Sequence, residues 1–250
     1  MQLLHSATRN YSWGSRTLIP HLQGQPDSDK PVAELWFGAH PGDPSTVDGR
    51  LLNEVIAEDP AGQLGGRVSA EYGERLPFLL KVLAAEEPLS LQAHPSKAQA
   101  EEGFARENAA GIELTASNRN YKDDNHKPEL IVALTDFYAM AGFRPLVRTR
   151  ELFAALECPE LDHYVAMLDD DPSATTESAN LRVLFTTWIT IPSAKRKELI
   201  SAIVAAGERL IAADPADWKS RVMSTVLELN QRYPGDIGVL GALLLLSLIH

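Results

Sequence analysis

The chain reads Ser90-Leu91-Gln92-Ala93-His94-Pro95 between an apolar run, residues 78–83, and a segment of helical character. In an extended chain, side chains two residues apart point to the same side. Gln92 and His94 are therefore expected to project together, with Ser90 on the same side. An imidazole nitrogen beside an amide oxygen is a pair of donors that a divalent metal ion can use.

A second polar stretch, His126-Lys127-Pro128-Glu129, follows a polar loop. If this stretch is extended, Lys127 and Glu129 share a face. The carboxylate would join the earlier amide and imidazole in a mixed nitrogen and oxygen set, which suits zinc or another divalent first-row metal. The spacing leaves another interpretation open, in which these are polar strand ends at the surface and the histidines are ordinary loop residues.

The composition narrows the class of protein. The 250 residues are 44% hydrophobic and 23% charged, which is typical of one or two globular domains. The net charge of −11 argues against nucleic acid or an anionic membrane as a partner. The most apolar run, residues 237–249, is shorter than the ~20 residues of a membrane span. The single cysteine, Cys158, and the lack of a signal segment at the start indicate a cytoplasmic setting.

Residues 1–95 predict short strands, because short apolar runs alternate with turn signals. A short helix is predicted at 53–58. Alternation over residues 32–37 places Glu34 and Trp36 on one face, and Glu34 either reaches water there or faces inward. Lys81 interrupts the apolar strand predicted at 77–83, and it either extends to solvent or faces a pocket.

Ser96 and Gln99 have the spacing of a capping box, which predicts a helix from Ser96 to about residue 109. The acidic residues of this helix, Glu107 among them, are expected to form a solvated face. Beyond it, two paired strands are predicted at 130–134 and 137–143, around a turn at 135–136.

After Pro145 the apolar pattern changes from a period of 2 to a period of 3.6, which predicts a helical region. Asp214 is the predicted N-cap of the last helix, with Pro215 at its first position. The predicted helices span residues 149–156, 159–168, 174–188, 194–212 and 215–232.

Several segments, in this order and spacing, resemble the type I mannose-6-phosphate isomerase (phosphomannose isomerase) family. The resemblance is specific over residues 10–144 and looser beyond them. The segments that carry it are Asn10-Tyr11-Ser12-Trp13-Gly14, Ala33-Glu34-Leu35-Trp36-Phe37-Gly38, Ala39-His40-Pro41, Leu76-Pro77-Phe78-Leu79-Leu80-Lys81, Leu89 to Pro95, Asn125 to Glu129, and Tyr138 to Arg144.

The resemblance implies a mainly β protein with an α insertion, in which a cupin-like jelly-roll barrel is joined to a helical domain. The expected divisions are a barrel with the metal site at 1–145, helices at 146–233, and a return into β structure at 234–250. It further implies a cytoplasmic monomer that acts on a small sugar phosphate.

The same resemblance implies a zinc-dependent isomerase that interconverts mannose 6-phosphate and fructose 6-phosphate through an enediol. Its residues carry over as three groups. The zinc ligands are Gln92, His94 and Glu129, and the catalytic acid or base is Lys127. The substrate contacts are Ser90, Lys81, Glu34 and Trp13.

The end of the chain departs from the family, which continues to a His-Ala-Tyr motif with a further zinc ligand. His250 is assigned to the tail, and the chain is expected to be truncated, with weak zinc binding and very low isomerase activity. A non-catalytic module that binds sugar phosphates or metals is the alternative. An iron-dependent oxygenase on a similar barrel is a third possibility, but it needs a His-x-Asp/Glu motif, which Gln92-Ala93-His94 does not supply.

Overall fold

The computed structural model describes residues 2–168 and 174–249, and the chain divides into two compact units, residues up to Leu89 and residues from Ser90 onward. His250 lies outside the described residues. The divisions expected at residues 145 and 233 stay a prediction. No helix in the part of the chain that the structure describes combines the length and apolar character that crossing a bilayer requires.

The first unit contains the predicted short strands, and it also contains three short helices that were not predicted, α1, α3 and α4. Two small antiparallel sheets form, in the strand orders β1-β4-β5 and β2-β3-β6. The helix predicted at 53–58 is confirmed as α2. The elements are β1 (Leu4–His5), β2 (Ala7–Arg9), α1 (Leu18–Leu22), β3 (Glu34–Phe37), β4 (Thr46–Val47), β5 (Arg50–Leu51), α2 (Leu52–Glu58), α3 (Pro60–Leu64), α4 (Gly66–Tyr72) and β6 (Leu80–Leu83).

The sheet β2-β3-β6 has one apolar face and one polar, aromatic face. Leu35 is buried together with Ile19 and Ala84, and Val82 packs against this small core. The strand register pairs Trp36 with Lys81, so that these side chains and that of Glu34 lie on the opposite face. The alternation predicted for residues 32–37 is therefore confirmed.

The second unit is mainly helical. Its core is formed by the packed faces of the helices after residue 145, and Leu184, Trp188 and Ile203 are almost completely buried in it. The elements are α5 (Lys97–Ala109), β7 (Tyr138–Phe143), α6 (Leu146–Leu156), α7 (Pro159–Val165), α8 (Ala174–Ile189), α9 (Ser193–Ala213), α10 (Trp218–Arg232), α11 (Gly238–Gly241) and β8 (Leu245–Ile249).

The predicted start of the last long helix is wrong. Helix α10 begins at Trp218, and the carboxylate of Asp217 accepts a hydrogen bond from the amide of Lys219 at 2.8 Å. Asp214 instead accepts from the amide of Ala216 at 3.1 Å and closes a turn before the helix. Both aspartates satisfy free backbone amides, and the sequence pattern does not distinguish a turn from a helix cap.

The predicted pairing of strands 130–134 and 137–143 is also wrong. Only Tyr138–Phe143 forms a strand, and it pairs with β8, with Tyr138 opposite Ile249. Residues 130–134 are not in a strand, and Leu130 is 91% exposed. A run with strand character becomes a strand only beside a hydrogen-bonding neighbour, and β7 takes its neighbour from a distant part of the chain.

Candidate functional site

The side chains of Gln92 and His94 lie together, as their spacing predicts. Both residues are exposed, and Oε1 of the amide is 3.4 Å from Nε2 of the imidazole. These residues have no strand pairing, so the strand suggested for this stretch does not form, and the chain leads from them directly into α5. Ser96 caps that helix through a complete capping box with Gln99, because each side chain bonds the backbone amide of the other at 2.9 to 3.3 Å. The predicted cap is thereby confirmed, and it fixes the direction of the chain just after His94.

The second polar stretch is a loop and not a strand. Residues 124–133 have no strand pairing, so the predicted strand face shared by Lys127 and Glu129 does not form. The ammonium of Lys127 donates to both carboxylate oxygens of Asp123, at 2.8 and 2.9 Å, and to the carbonyl of Asn125 at 3.3 Å. A strand needs a neighbouring strand with which its backbone can form hydrogen bonds, and residues 124–133 have none. Glu129 is exposed.

Helix α5 ties the two polar stretches together. The ammonium of Lys97 donates to the carbonyl of Asp124 at 2.8 Å and to Oδ1 of Asn125 at 3.1 Å. Lys97 is the third residue after His94, and Glu129 is the fourth after Asn125, which are distances of at most about 11 and 14 Å along the chain. The loop that carries the carboxylate therefore returns to the end of α5 where the Gln-His pair enters.

The donor pair fits one edge of a zinc coordination shell. Tetrahedral zinc with bonds of about 2.1 Å to nitrogen and oxygen places its ligand atoms about 3.4 Å apart. Gln92 Oε1 and His94 Nε2 are separated by 3.4 Å. A good N–H···O hydrogen bond is shorter, at about 2.9 to 3.0 Å. The pair is therefore spaced as two ligands of one metal ion would be.

Other metal-binding arrangements are not found in residues 2–168 and 174–249, where no three or more His, Cys, Asp or Glu side chains are grouped to hold an ion. The candidate set contains only two residues of those types, His94 and Glu129, and its third member is an amide. Zinc sites with three protein ligands keep an open position for water or substrate. The spacing of Gln92 and His94 fits two of the three protein ligands of such a zinc ion.

In the first unit, Glu34 and Lys81 meet beside Trp36. Glu34 is 5% exposed, and its carboxylate accepts a hydrogen bond from the indole Nε1 of Trp36 at 2.8 Å. The ammonium of Lys81 is 3.6 Å from the same carboxylate and 5.0 Å from the centre of the Trp36 ring. Of the two interpretations of Glu34, the inward one is correct, because a hydrogen bond and a cation compensate the buried charge.

The sequence analysis missed Arg9, which belongs to the same face. Its guanidinium lies 4.9 Å from the centre of the Trp36 ring and binds Asp43 at 2.6 Å. The hydrogen bond to Asp43, and next that to Tyr11, raises the pKa of Arg9 above its usual value. Alternation along β2 is the signal in the sequence that places Arg9 on this face. Its partner Asp43 is 34 residues further along the chain, and no sequence pattern predicts that contact.

The remaining predicted substrate contacts, Trp13 and Ser90, make fewer interactions with the rest of the protein. Trp13 is half-buried, and its ring stacks on Tyr11 with centroids 5.5 Å apart. Ser90 is exposed, at the start of the stretch that leads to the Gln-His pair.

A cleft of about 740 Å³ opens between α6 and α7, away from the predicted site in sequence. None of the predicted site residues lines it. Its lining includes Arg150, Phe153 and Cys158. Burial raises the pKa of the Cys158 thiol. Since metals and electrophiles react with the thiolate, this cysteine is a poor ligand or nucleophile.

Glu107 was expected in a solvated face, and that expectation is wrong. The residue is 6% exposed, and its carboxylate faces Arg119, which is 5% exposed. Hydrogen bonds from the loop, first from the amide of Tyr121, lower the pKa of Glu107 below its usual value. The partner is in a polar loop beyond the helix, so the helical pattern gives no sign of it.

Comparison with known proteins agrees with the resemblance. Residues 1–146 match the family model for the phosphomannose isomerase type I catalytic domain. The mannose-6-phosphate isomerase of Escherichia coli (strain K12) is 38% identical over 253 residues, which cover 98% of this chain and 60% of that protein. The mannose-6-phosphate isomerase of Homo sapiens is 33% identical over 258 residues, which cover 94% of this chain and 57% of that protein.

Solved structures give the same result. The apo form of mannose 6-phosphate isomerase from Salmonella typhimurium has a TM-score of 0.84 at 35% identity, covering 100% of this chain and 61% of that chain. The structure of that enzyme bound to its substrate and to zinc gives the same TM-score, identity and coverage. The chain thus spans about 60% of the length of the relatives that it matches. With a family model that matches more than half of its residues, the chain belongs to the phosphomannose isomerase type I family.

Proposed function

We propose that the chain binds zinc through Gln92, His94 and Glu129 and acts in the interconversion of mannose 6-phosphate and fructose 6-phosphate. The observation that supports this most is the 3.4 Å separation between the amide oxygen and the imidazole nitrogen in a member of this family. The names of the relatives support the reaction, and a solved relative contains both zinc and substrate.

The proposed reaction moves a proton between C1 and C2 of the sugar through an enediol. When bound, zinc supplies a Lewis acid that stabilises the negative charge developing on a substrate oxygen. The residues of the chain have three further tasks, which are to hold the metal, to carry a proton, and to fix the phosphate so that the reacting carbons stay in place.

Lys127 is the proposed proton carrier. Its ammonium is held by both oxygens of Asp123, at 2.8 and 2.9 Å, and it stands two residues before the proposed ligand Glu129. A positioned ammonium can donate a proton, or a hydrogen bond, to a sugar oxygen as negative charge develops there. The ion pair with Asp123 limits the directions in which the ammonium can point.

The polar face of the sheet β2-β3-β6 is the proposed contact for the sugar phosphate in the first unit. Lys81 provides a cation on this face, and the buried carboxylate of Glu34 orients it at 3.6 Å. Trp13 provides an aromatic surface on which a sugar ring can pack. The hydroxyl of Ser90 is a further proposed contact, from the second unit, and it rests on the family resemblance.

The finer features of the protein are proposed on the same basis. These are a cupin-like jelly-roll architecture for the β-rich part, a cytoplasmic location and a monomeric state. A cytoplasmic location is supported by the presence of a single, buried cysteine, Cys158. A small barrel of this type encloses its ligand among inward-facing side chains.

The test combines metal analysis with an isomerase assay on the 250-residue chain. The chain should bind one equivalent of added zinc weakly, and its low turnover of fructose 6-phosphate should disappear when zinc is chelated. Replacing Gln92 by alanine should abolish both properties. The His126→Ala variant is the matched control, because this histidine is also exposed and lies outside the proposed ligand set. Equal loss of zinc in both variants, or zinc retention by Gln92→Ala, would contradict the assignment.

A further inference from the structure

A buried ion pair joins helix α5 to the loop that follows it. Nε of Arg119 lies 3.1 Å from Oε2 of Glu107, and the guanidinium side chain is completely buried. The carboxylate also accepts hydrogen bonds from the amide of Asn120 at 3.1 Å, from its side chain at 3.1 Å, and from the amide of Tyr121 at 2.9 Å. Three consecutive loop residues are thereby fixed to one helix position.

Arg119 uses all three of its guanidinium nitrogens within the same region. It donates to the carbonyl of Tyr121 at 2.6 Å, to the carbonyl of Ile112 at 2.7 Å, and to Oδ1 of Asn108 at 2.7 Å. A buried ion pair usually contributes little net stability, since desolvation offsets the attraction between the charges. The pair also has a geometric effect, because its many hydrogen bonds hold the loop on one path against α5.

Tyr121 packs closely against the backbone of α5. A Cβ atom at Gly103 would lie 2.4 Å from the Tyr121 ring, so that only glycine leaves room for it. One end of the loop segment thus lies beside the middle of α5. Lys97, at the start of the helix, holds the other end through Asp124 and Asn125 at 2.8 and 3.1 Å.

The lengths of the two segments agree with this path. Residues 97 to 107 of the helix span about 15 Å, at about 1.5 Å per residue. Residues 122–124 form bends, so the chain from Tyr121 to Asn125 spans at most about 14 Å. The loop therefore runs back along α5 from Glu107 to Lys97. Asp124 and Asn125 are thereby held at the end of the helix that Gln92 and His94 enter, and Glu129 follows four residues after Asn125.

We infer that Glu107, Arg119 and Lys97 form a positioning clamp, which sets the location of Glu129 relative to Gln92 and His94. The inference rests on the proposed zinc site and adds three residues that do not themselves contact the metal. The clamp residues affect metal binding only indirectly, by fixing the position of Glu129. Outer residues that orient metal ligands affect metal affinity by about 10–100-fold. Loss of the clamp should therefore weaken zinc binding by about tenfold while the helical core stays folded.

The first test replaces Glu107 by glutamine, with Glu102→Gln as the matched control on the same helix. Glu102 is exposed and pairs with Arg106 at 3.8 Å. The side-chain NH₂ of glutamine at position 107 is a hydrogen-bond donor, and it would face the backbone amides of Asn120 and Tyr121, which are also donors. Hydrogen exchange measured by mass spectrometry should show faster exchange over residues 119–129 in Glu107→Gln, with unchanged exchange over α9. Unchanged protection of the loop would overturn the clamp.

The second test measures the affinity of the site for a metal ion and the coordination geometry of the bound ion. Titration with Co²⁺ as a spectroscopic substitute should give about tenfold weaker binding and an altered visible spectrum in Glu107→Gln, but not in Glu102→Gln. Lys97→Met is a second clamp variant, and it should fold normally because its side chain is 42% exposed. The same spectral change is expected for it. An affinity within about twofold of the unmodified chain in both clamp variants would overturn the inference.

The two tests separate the clamp from the proposed function. If the unmodified chain bound neither Co²⁺ nor zinc, the proposed metal site would be wrong. The exchange experiment would still decide whether the clamp orders residues 119–129. A fall in thermal stability without any change in the cobalt spectrum or affinity would assign the pair a purely structural role and overturn the positioning role.

Discussion

Replacing Gly103 by alanine tests how closely the loop packs on α5. An ideal Cβ at this position would lie 2.4, 2.5 and 2.6 Å from three carbons of the Tyr121 ring. Carbon atoms pack at about 3.5 to 4.0 Å, so the ring would have to move by about 1 Å. The loop cannot easily follow, because the hydrogen bonds from Asn120 and Tyr121 to Glu107 hold it in place.

The expected magnitude follows from two opposing effects. Alanine is favoured over glycine inside a helix by about 0.8–1.0 kcal/mol. Overpacking in a closely packed site costs about 1–3 kcal/mol. Gly103→Ala should therefore lower the free energy of unfolding by between about zero and 2 kcal/mol. In a Tyr121→Ala background the overpacking disappears, and the same substitution should stabilise the protein by about 1 kcal/mol.

The assay is a double-mutant cycle, measured by urea unfolding followed by circular dichroism. The cycle should give a coupling energy between positions 103 and 121 of about 1–3 kcal/mol. Gly66→Ala in α4 is the control, since nothing lies within 4 Å of its added Cβ. Equal stabilisation by Gly103→Ala in both backgrounds would show that the ring does not lie on the helix, and would refute the packing on which the clamp depends.

Three further predictions concern catalysis, pH and the core. Lys127→Met should lower kcat by at least about 100-fold in a coupled isomerase assay while zinc affinity stays constant, and Lys122→Met should leave both unchanged. The pKa of Glu107 is lowered in the folded state. The ionised carboxylate therefore contributes fully to the stability of the fold above the ordinary carboxyl pKa of about 4.3. This contribution is lost as the pH falls through the lower pKa of the folded state. Glu107→Gln should therefore flatten the fall of the urea midpoint below about pH 4.3, and an unchanged slope would contradict this. Leu184→Ala should reduce the free energy of unfolding by about 2–5 kcal/mol, since the side chain is fully buried. Val183→Ala, beside it and 52% exposed, should change that free energy by less than about 0.5 kcal/mol, and similar losses in the two variants would contradict the packing of α8.

Local signals in the sequence predicted α2 and the longer helices α5 to α10, but not the short helices α1, α3, α4 and α11. The capping box of Ser96 and Gln99 and the apolar stripe of α9 depend only on residues within a few turns of each other, and the structure contains both. The start of α10 was predicted wrongly because Asp214 and Asp217 have the same local chemistry. The choice between them depends on how the helix packs, and the sequence pattern does not contain that information.

Contacts between distant residues could not be predicted. The strand β7 pairs with β8, about a hundred residues further along the chain, so the neighbouring run at 130–134 was assigned a pairing that it does not make. Glu107 and Arg119 were not recognised as a pair for the same reason. Each is an ordinary charged residue in its own segment, and only the folded loop brings them together.

The candidate site lies between these two cases. Gln92 and His94 are two residues apart, and local geometry is sufficient to bring their donor atoms within 3.4 Å. The assignment of Glu129 and Lys127 came from the family resemblance, and for these two residues the strand geometry first expected does not form. Arg9 was overlooked because its partners, Asp43 and the ring of Trp36, lie far from it in the chain, and a local pattern does not reveal such contacts.

The most direct measurement is anomalous diffraction at the zinc absorption edge, from crystals of the chain grown with zinc. We expect one peak about 2.0–2.2 Å from Gln92 Oε1, His94 Nε2 and a carboxylate oxygen of Glu129. A zinc peak that lacks any of these three ligands, or no peak in crystals grown with excess zinc, would contradict the account.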